Sequence, residues 1–196
     1  FSFINPISIN MVLEFIGIIV LLASSGLISG SEVAFFSLLP KEISELKASE
    51  SKREKTTALL LERPKLLLAT ILIANNFINI AIIILSTALT VSLFNFGDHV
   101  LLGFFFQVIL VTFIILLFGE VLPKIYAVKN KVELSSFMSL PVLWLRKITY
   151  PISILLVRST SFIDKKFKRK VDAISVDNLS HALELTTDET TGKEEK

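Results

Sequence analysis

The sequence predicts an all-α integral membrane protein: three transmembrane helices, a short cytoplasmic helical hairpin and an amphipathic juxtamembrane helix. Three observations predict it. Of the 196 residues, 52% are hydrophobic, and the mean hydropathy is +0.69. Soluble domains reach about half apolar residues only with glycine counted. Three runs are apolar for long enough to cross a hydrocarbon core of ~30 Å at ~1.5 Å per helical residue. Basic residues come in blocks: none in 1–40, seven in 41–65, none in 66–123 and thirteen from Lys124 onward. Alternating loops of a membrane protein carry this pattern when the basic ones stay inside.

In chain order, the first apolar run is Phe15 to Leu39, with Glu32 as its only charge; it predicts a span over about 12–38. No basic stretch precedes it, which reads against a cleaved secretory leader within the chain. Residues 40–65 are charged with mixed sign and predict the hairpin. Leu66 to Phe94 holds no charge over 29 positions. It predicts a span over 66–94, tilted or carrying a break. Asn95 to His99 lacks Lys and Arg and belongs outside. Val100 to Phe118 opens the third span, 100–122, which ends in Gly119-Glu120-Val121-Leu122-Pro123-Lys124. The N-terminus is therefore expected outside the cell membrane, and everything after Lys124 inside.

Leu134 to Leu145 and Ile148 to Val157 are shorter apolar runs, separated by Arg146 and Lys147 and interrupted by Pro141 and Pro151. Runs this short favour an interfacial helix, here about 132–163, with Trp144 and Tyr150 near the headgroups. A fourth span is the alternative. The transmembrane domain thus covers 1–165. A basic cluster, Lys165 to Lys170, faces anionic lipid at its edge. Residues 166–196 turn acidic: Asp177 to Leu185 could begin an amphipathic helix, and Thr186 to Lys196 reads as a linker.

The chain has no Cys and two His, His99 and His181. Disulfides, thiolate metal sites and cysteine nucleophiles are excluded. An intramembrane enzyme would need a nucleophile–base pair or a metal-bound water, so none is expected. Nor is a nucleic-acid partner.

Polar groups at membrane depth cost free energy unless they are paired or face a cavity. Three clusters lie inside the apolar runs. Ser25 and Ser29 share a helix face at i, i+4, within Ser24-Ser25-Gly26-Leu27-Ile28-Ser29-Gly30-Ser31-Glu32. Gly26 and Gly30 form a G-x-x-x-G pattern that also suits close helix packing. Asn75 and Asn79 share a face within Asn75-Asn76-Phe77-Ile78-Asn79; membrane Asn can also be interhelical glue. In the third cluster Pro123 lacks an N–H, so the carbonyl of Gly119 loses its helical partner. A break beside Glu120 is expected, with helix termination at the interface by Glu120 and Lys124 as the alternative. Together the clusters supply two hydroxyls, two amide oxygens, a backbone carbonyl and one carboxylate. An all-oxygen set of six suits a hard divalent cation, Mg²⁺ in particular.

At these three motifs the sequence resembles the membrane domain of the CorC/cyclin M (DUF21) family of magnesium transporters. The matching stretches are Ser25 to Glu32, Asn75 to Asn79 and Gly119 to Lys124, in the same order and approximate spacing, over roughly residues 10–165. The resemblance implies a homodimer with three spans per protomer. It implies Mg²⁺ held between the helices and exported with sodium entry as the coupling. By motif position, Ser25, Ser29, Asn75, Asn79, Gly119 and Glu120 are the expected metal ligands. Gly26, Gly30, Ser31, Glu32, Asn76, Pro123 and Lys124 are supporting residues. Ala74 stands where the family often has Gly. The family continues through an acidic linker into paired nucleotide-binding CBS domains, of which residues 177–196 resemble only the beginning. The competing reading is a membrane scaffold of the same family, as in bacterial gliding motility, whose polar clusters would serve packing and envelope partners.

Overall fold

The computed structural model of the chain describes residue 6 and residues 8–93 and 100–159, side chains at 100–102 and 106 excepted. Every regular element among them is helical. Helix α1 (Ile9–Phe36) starts where Ser8 Oγ accepts the Met11 N–H at 3.4 Å, satisfying one of the free donors of the first turn. This start lies three residues ahead of the span expected over about 12–38. Helices α2 (Pro40–Ala48) and α3 (Lys52–Leu61) follow. At 9 and 10 residues each, both are too short to cross a bilayer. Pro40 opens α2, where its missing N–H costs nothing, and Glu42 Oε2 accepts the Leu39 N–H at 2.6 Å.

Helix α4 (Pro64–Leu93) runs unbroken for 30 residues. Then come α5 (Val100–Ile114), a π-helical segment (Ile115–Val121), α6 (Leu122–Lys129) and α7 (Lys131–Ser159). The sequence predicts a break at Gly119–Pro123; a π-helical turn stands there instead. The Leu122 N–H bonds the Leu117 carbonyl, an i→i+5 pairing. In that register the N–H that Pro123 lacks would have paired with the Phe118 carbonyl, five residues earlier, and not with Gly119.

Among the described residues, four helices are long and apolar enough to cross a membrane: α1, α4, the run Gly103–Lys129, and α7. The helix expected over about 132–163 is α7, whose 29 described residues carry both short apolar runs and both prolines. Proline inside a helix removes a hydrogen bond and costs ~3 kcal/mol. Packing offsets it here: Met138 and Val142, on either side of Pro141, are buried in the core. The loop Asn95–His99, the cluster Lys165–Lys170, the segment 177–196 and both histidines lie outside the described residues.

The chain divides into two units, Phe1–Ser153 and Ile154–Lys196; the packing below belongs to the first. Helix α1 packs along α4, and against the π segment and α6. Ser25 meets Asn79, and a Cβ on Gly17 would meet Leu85, so α1 and α4 run antiparallel. A core of Ile28, Phe35, Leu60, Leu67, Ile71, Ala74, Met138 and Val142 joins α1, α3, α4 and α7. It sits at the end of the bundle that carries the basic residues. Elsewhere many large apolar side chains point outward: Phe105 is 60% exposed and Ile109 68%. Only 18–33% of the most apolar windows of α1, α4 and Gly103–Lys129 is buried. An apolar surface this extensive suits hydrocarbon and not water.

Candidate metal-binding site

Three helices bring their polar clusters to one place. From α1, Ser25 is fully buried and its Oγ lies 2.7 Å from Asn79 Oδ1 and 3.1 Å from Asn75 Oδ1. A hydroxyl carries one proton, so it donates to one amide oxygen at a time. From α4, both amide nitrogens point to one carboxylate oxygen of the π segment: Asn79 Nδ2 to Glu120 Oε1 at 3.3 Å, and Asn75 Nδ2 at 3.5 Å. Those two bonds are long, so they are weak. The hydroxyl thus donates to the amide oxygens and the amide nitrogens to the carboxylate, across sequence separations of 41 to 54 residues.

The i, i+4 spacing on α4 sets Asn75 and Asn79 on one face. The π segment sets Glu120. Its wider turn rotates the residues that follow relative to an α-helix, and such segments recur at functional sites. Gly119 lets this turn reach α1: a Cβ there would lie 3.1 Å from Ser25 Oγ. Gly26 and Gly30 bring α1 against the start of α6. A Cβ on Gly26 would lie 3.0 Å from Pro123 Cγ and 3.1 Å from the Phe118 carbonyl, and one on Gly30 3.2 Å from the Pro123 carbonyl. The glycine pair is thus a packing device, as small residues are in membranes, and that packing is what holds Ser25 beside Gly119.

Ser29, one turn from Ser25 on the same face, is 1% exposed, and its Oγ has no hydrogen-bond partner. A buried hydroxyl left unpaired costs ~1–3 kcal/mol. The other supporting residues sit differently. Ser31 Oγ bonds back to the Ile28 carbonyl at 2.7 Å, and Asn76 Nδ2 to the Leu72 carbonyl at 2.8 Å. Asn76 is exposed and turned away from Ser25. Glu32 pairs with Lys124 at 3.1 Å, both partly exposed, tying the end of α1 to α6. Among the described residues, no three His, Cys, Asp or Glu side chains cluster as a metal site. Any cation here would be held by neutral oxygens and one carboxylate.

Sequence reasoning missed two polar groups. Glu14 lies on the Ser25 face about three turns away, and its Oε2 is buried without a partner. The span expected over about 12–38 already contains it, and its spacing of eleven residues from Ser25, close to three full turns, was the available signal. Gln107 is 8% exposed and donates to Thr87 Oγ1 at 2.8 Å, linking α5 to α4. An isolated Gln in an apolar run gave no sign of that partner.

Residues 16–196 match the family model described as Cyclin M transmembrane N-terminal domain. The chain is 35% identical over 145 residues to a UPF0053 protein of Haemophilus influenzae, covering 74% of this chain and 33% of that protein. It is 31% identical over 138 residues to the protein named Metal transporter cnnm-1 of Caenorhabditis elegans, covering 63% of this chain and 16% of that one. The chain thus spans a third or less of the relatives it matches.

Proposed function

The chain belongs to the cyclin M transmembrane-domain family, and from that premise we propose that it carries Mg²⁺ across the membrane through the site between α1, α4 and the π segment. The observation that carries this reading is the convergence of Ser25, Asn75, Asn79 and Glu120 in one hydrogen-bonded group, with Ser29 Oγ buried and unpaired beside it. The relative named a metal transporter supports the transport class.

The ligands are Ser25 and Ser29 Oγ, Asn75 and Asn79 Oδ1, the Gly119 carbonyl and Glu120. A carbonyl has two lone pairs, so Gly119 can serve both its helix and an ion. Without the ion, Ser25 donates to one amide oxygen at a time and the amide nitrogens donate to Glu120. An arriving Mg²⁺ takes over those oxygens and adds Ser29. It sheds water only reluctantly, so a set of six protein oxygens is what would make dehydration possible. The ion enters from the basic, cytoplasmic end and leaves outward as the helices rearrange. Export with sodium entry as the coupling, and assembly as a homodimer, follow from the family resemblance. Helix α7 lies along the cytoplasmic interface, since Arg146 and Lys147 interrupt its apolar length and its first half packs on the short helix α3.

Thermal unfolding of the detergent-solubilised chain against MgCl₂ tests this, with ionic strength held constant and CaCl₂ for comparison. A ligand at ~100 times its Kd stabilises by ~2.7 kcal/mol. A Mg²⁺-selective rise that Asn75→Ala loses is the expected result. No rise, or an equal rise in the variant, overturns the assignment.

A further inference from the structure

A second polar feature lies at the basic end of the bundle, apart from the ion site. Arg63 closes the turn after α3, Leu66 stands in the first turn of α4, and Arg146, Lys147 and Tyr150 come from the middle of α7. These five residues line a cavity of about 330 Å³. Three are cationic and none is acidic. Neither arginine forms a salt bridge among the described residues. Burial and the nearby Arg63 guanidinium both disfavour the charge on Arg146. A fold that gathers like charges without a counter-ion is under electrostatic load; an anion in the cavity would remove it.

We propose that this groove binds the phosphate headgroup of an anionic phospholipid. Guanidinium forks match phosphate oxygens two at a time, and the Tyr150 hydroxyl and Lys147 ammonium add donors. The free N–H groups at the start of α4 add positive potential on the same side. The cavity holds a phosphate with room for the ester groups attached to it. Its surroundings select lipid over free phosphate: Leu66 is part of the wall, and Trp144 and Ile148, beside the cations on α7, are 64% and 55% exposed. Acyl chains would cover those apolar side chains while the headgroup meets the arginines. Basic pockets between membrane helices are known to select anionic headgroups in this way. The site is independent of the Mg²⁺ reading.

The test is thermal unfolding of the full chain in neutral detergent, titrated with short-chain phosphatidylglycerol, short-chain phosphatidylcholine or inorganic phosphate at constant ionic strength. Phosphatidylglycerol is expected to raise the melting temperature, with the other two having little effect. The double variant Arg63→Gln/Arg146→Gln is expected to weaken the apparent lipid affinity at least tenfold. Arg63→Lys/Arg146→Lys keeps the charge, protects against a folding failure and is expected to weaken it severalfold. Lys52→Gln/Lys55→Gln, at two exposed positions of α3, is expected to change nothing. Inorganic phosphate acting as well as the lipid would overturn the lipid assignment. So would a lipid response unaffected by either arginine pair, or one lost equally on neutralising Lys52 and Lys55.

Discussion

Replacing Ser29 with Ala separates an ion ligand from a packing residue by the sign of its effect. Ser29 is 1% exposed and its Oγ has no partner. Without metal, the hydroxyl is therefore a buried polar atom whose desolvation nothing offsets, at a cost of ~1–3 kcal/mol. Alanine keeps the Cβ, removes that oxygen and favours the helix slightly more than serine does. In chelator, Ser29→Ala is expected to be more stable than the parent by ~1–3 kcal/mol. For a chain of this size ~1 kcal/mol moves the melting temperature by ~2–4 °C. In saturating MgCl₂ the order narrows or reverses, because the variant has lost one of six oxygens; a ~10-fold weaker affinity corresponds to ~1.4 kcal/mol. Ser31→Ala is the control: its hydroxyl is already bonded to the Ile28 carbonyl, and neither stabilisation in chelator nor a weaker Mg²⁺ response is expected. The assay is thermal unfolding with and without Mg²⁺, with the magnesium affinity read from the titration. A Ser29→Ala chain that is less stable in chelator and responds to Mg²⁺ like the parent would refute the reasoning and leave Ser29 as packing.

Two further outcomes follow from the same geometry. Gly26→Ala is expected to destabilise by ~1–3 kcal/mol, the usual range for overpacking, because the new Cβ meets Pro123 and the Phe118 backbone, neither of which can yield. Gly17→Ala, although its Cβ would come within 2.8 Å of Leu85 Cδ2, meets only the end of a flexible side chain and is expected to be milder; equal costs in thermal unfolding would contradict this. Glu42 is held below the ordinary carboxylate range by the Leu39 N–H and then by Lys131, whose Nζ is 2.8 Å away. A carboxylate with a lowered folded-state pKa adds stability above its unfolded pKa and loses it as pH falls through the folded one. Stability should therefore drop on the acid side of the usual glutamate range, and Glu42→Gln should flatten that part of the pH profile; an unchanged profile in the variant would show that Glu42 contributes none of it.

Much of this protein was determined by its sequence. The apolar runs place α1, α4 and the third helical run, because ~20 uncharged residues can be satisfied in lipid only as helix. The i, i+4 spacings put Ser25 with Ser29 and Asn75 with Asn79 on single faces, since helical periodicity is local. The residue types themselves, all oxygen and one carboxylate, suit a hard cation if they bind one, which is legible before any coordinate is known. What only the tertiary structure decided is how those faces turn toward one another. Ser25 meets Asn79 across 54 residues, and Asn75 meets Glu120 across 45; no local pattern sets the rotation of one helix about its axis relative to another. The π segment that aims Glu120, the continuity of α7 through Pro141, and the meeting of Arg63 with Arg146 are likewise products of packing. In each, a local preference for a break or for separated charges is overridden by side chains that arrive from elsewhere in the chain.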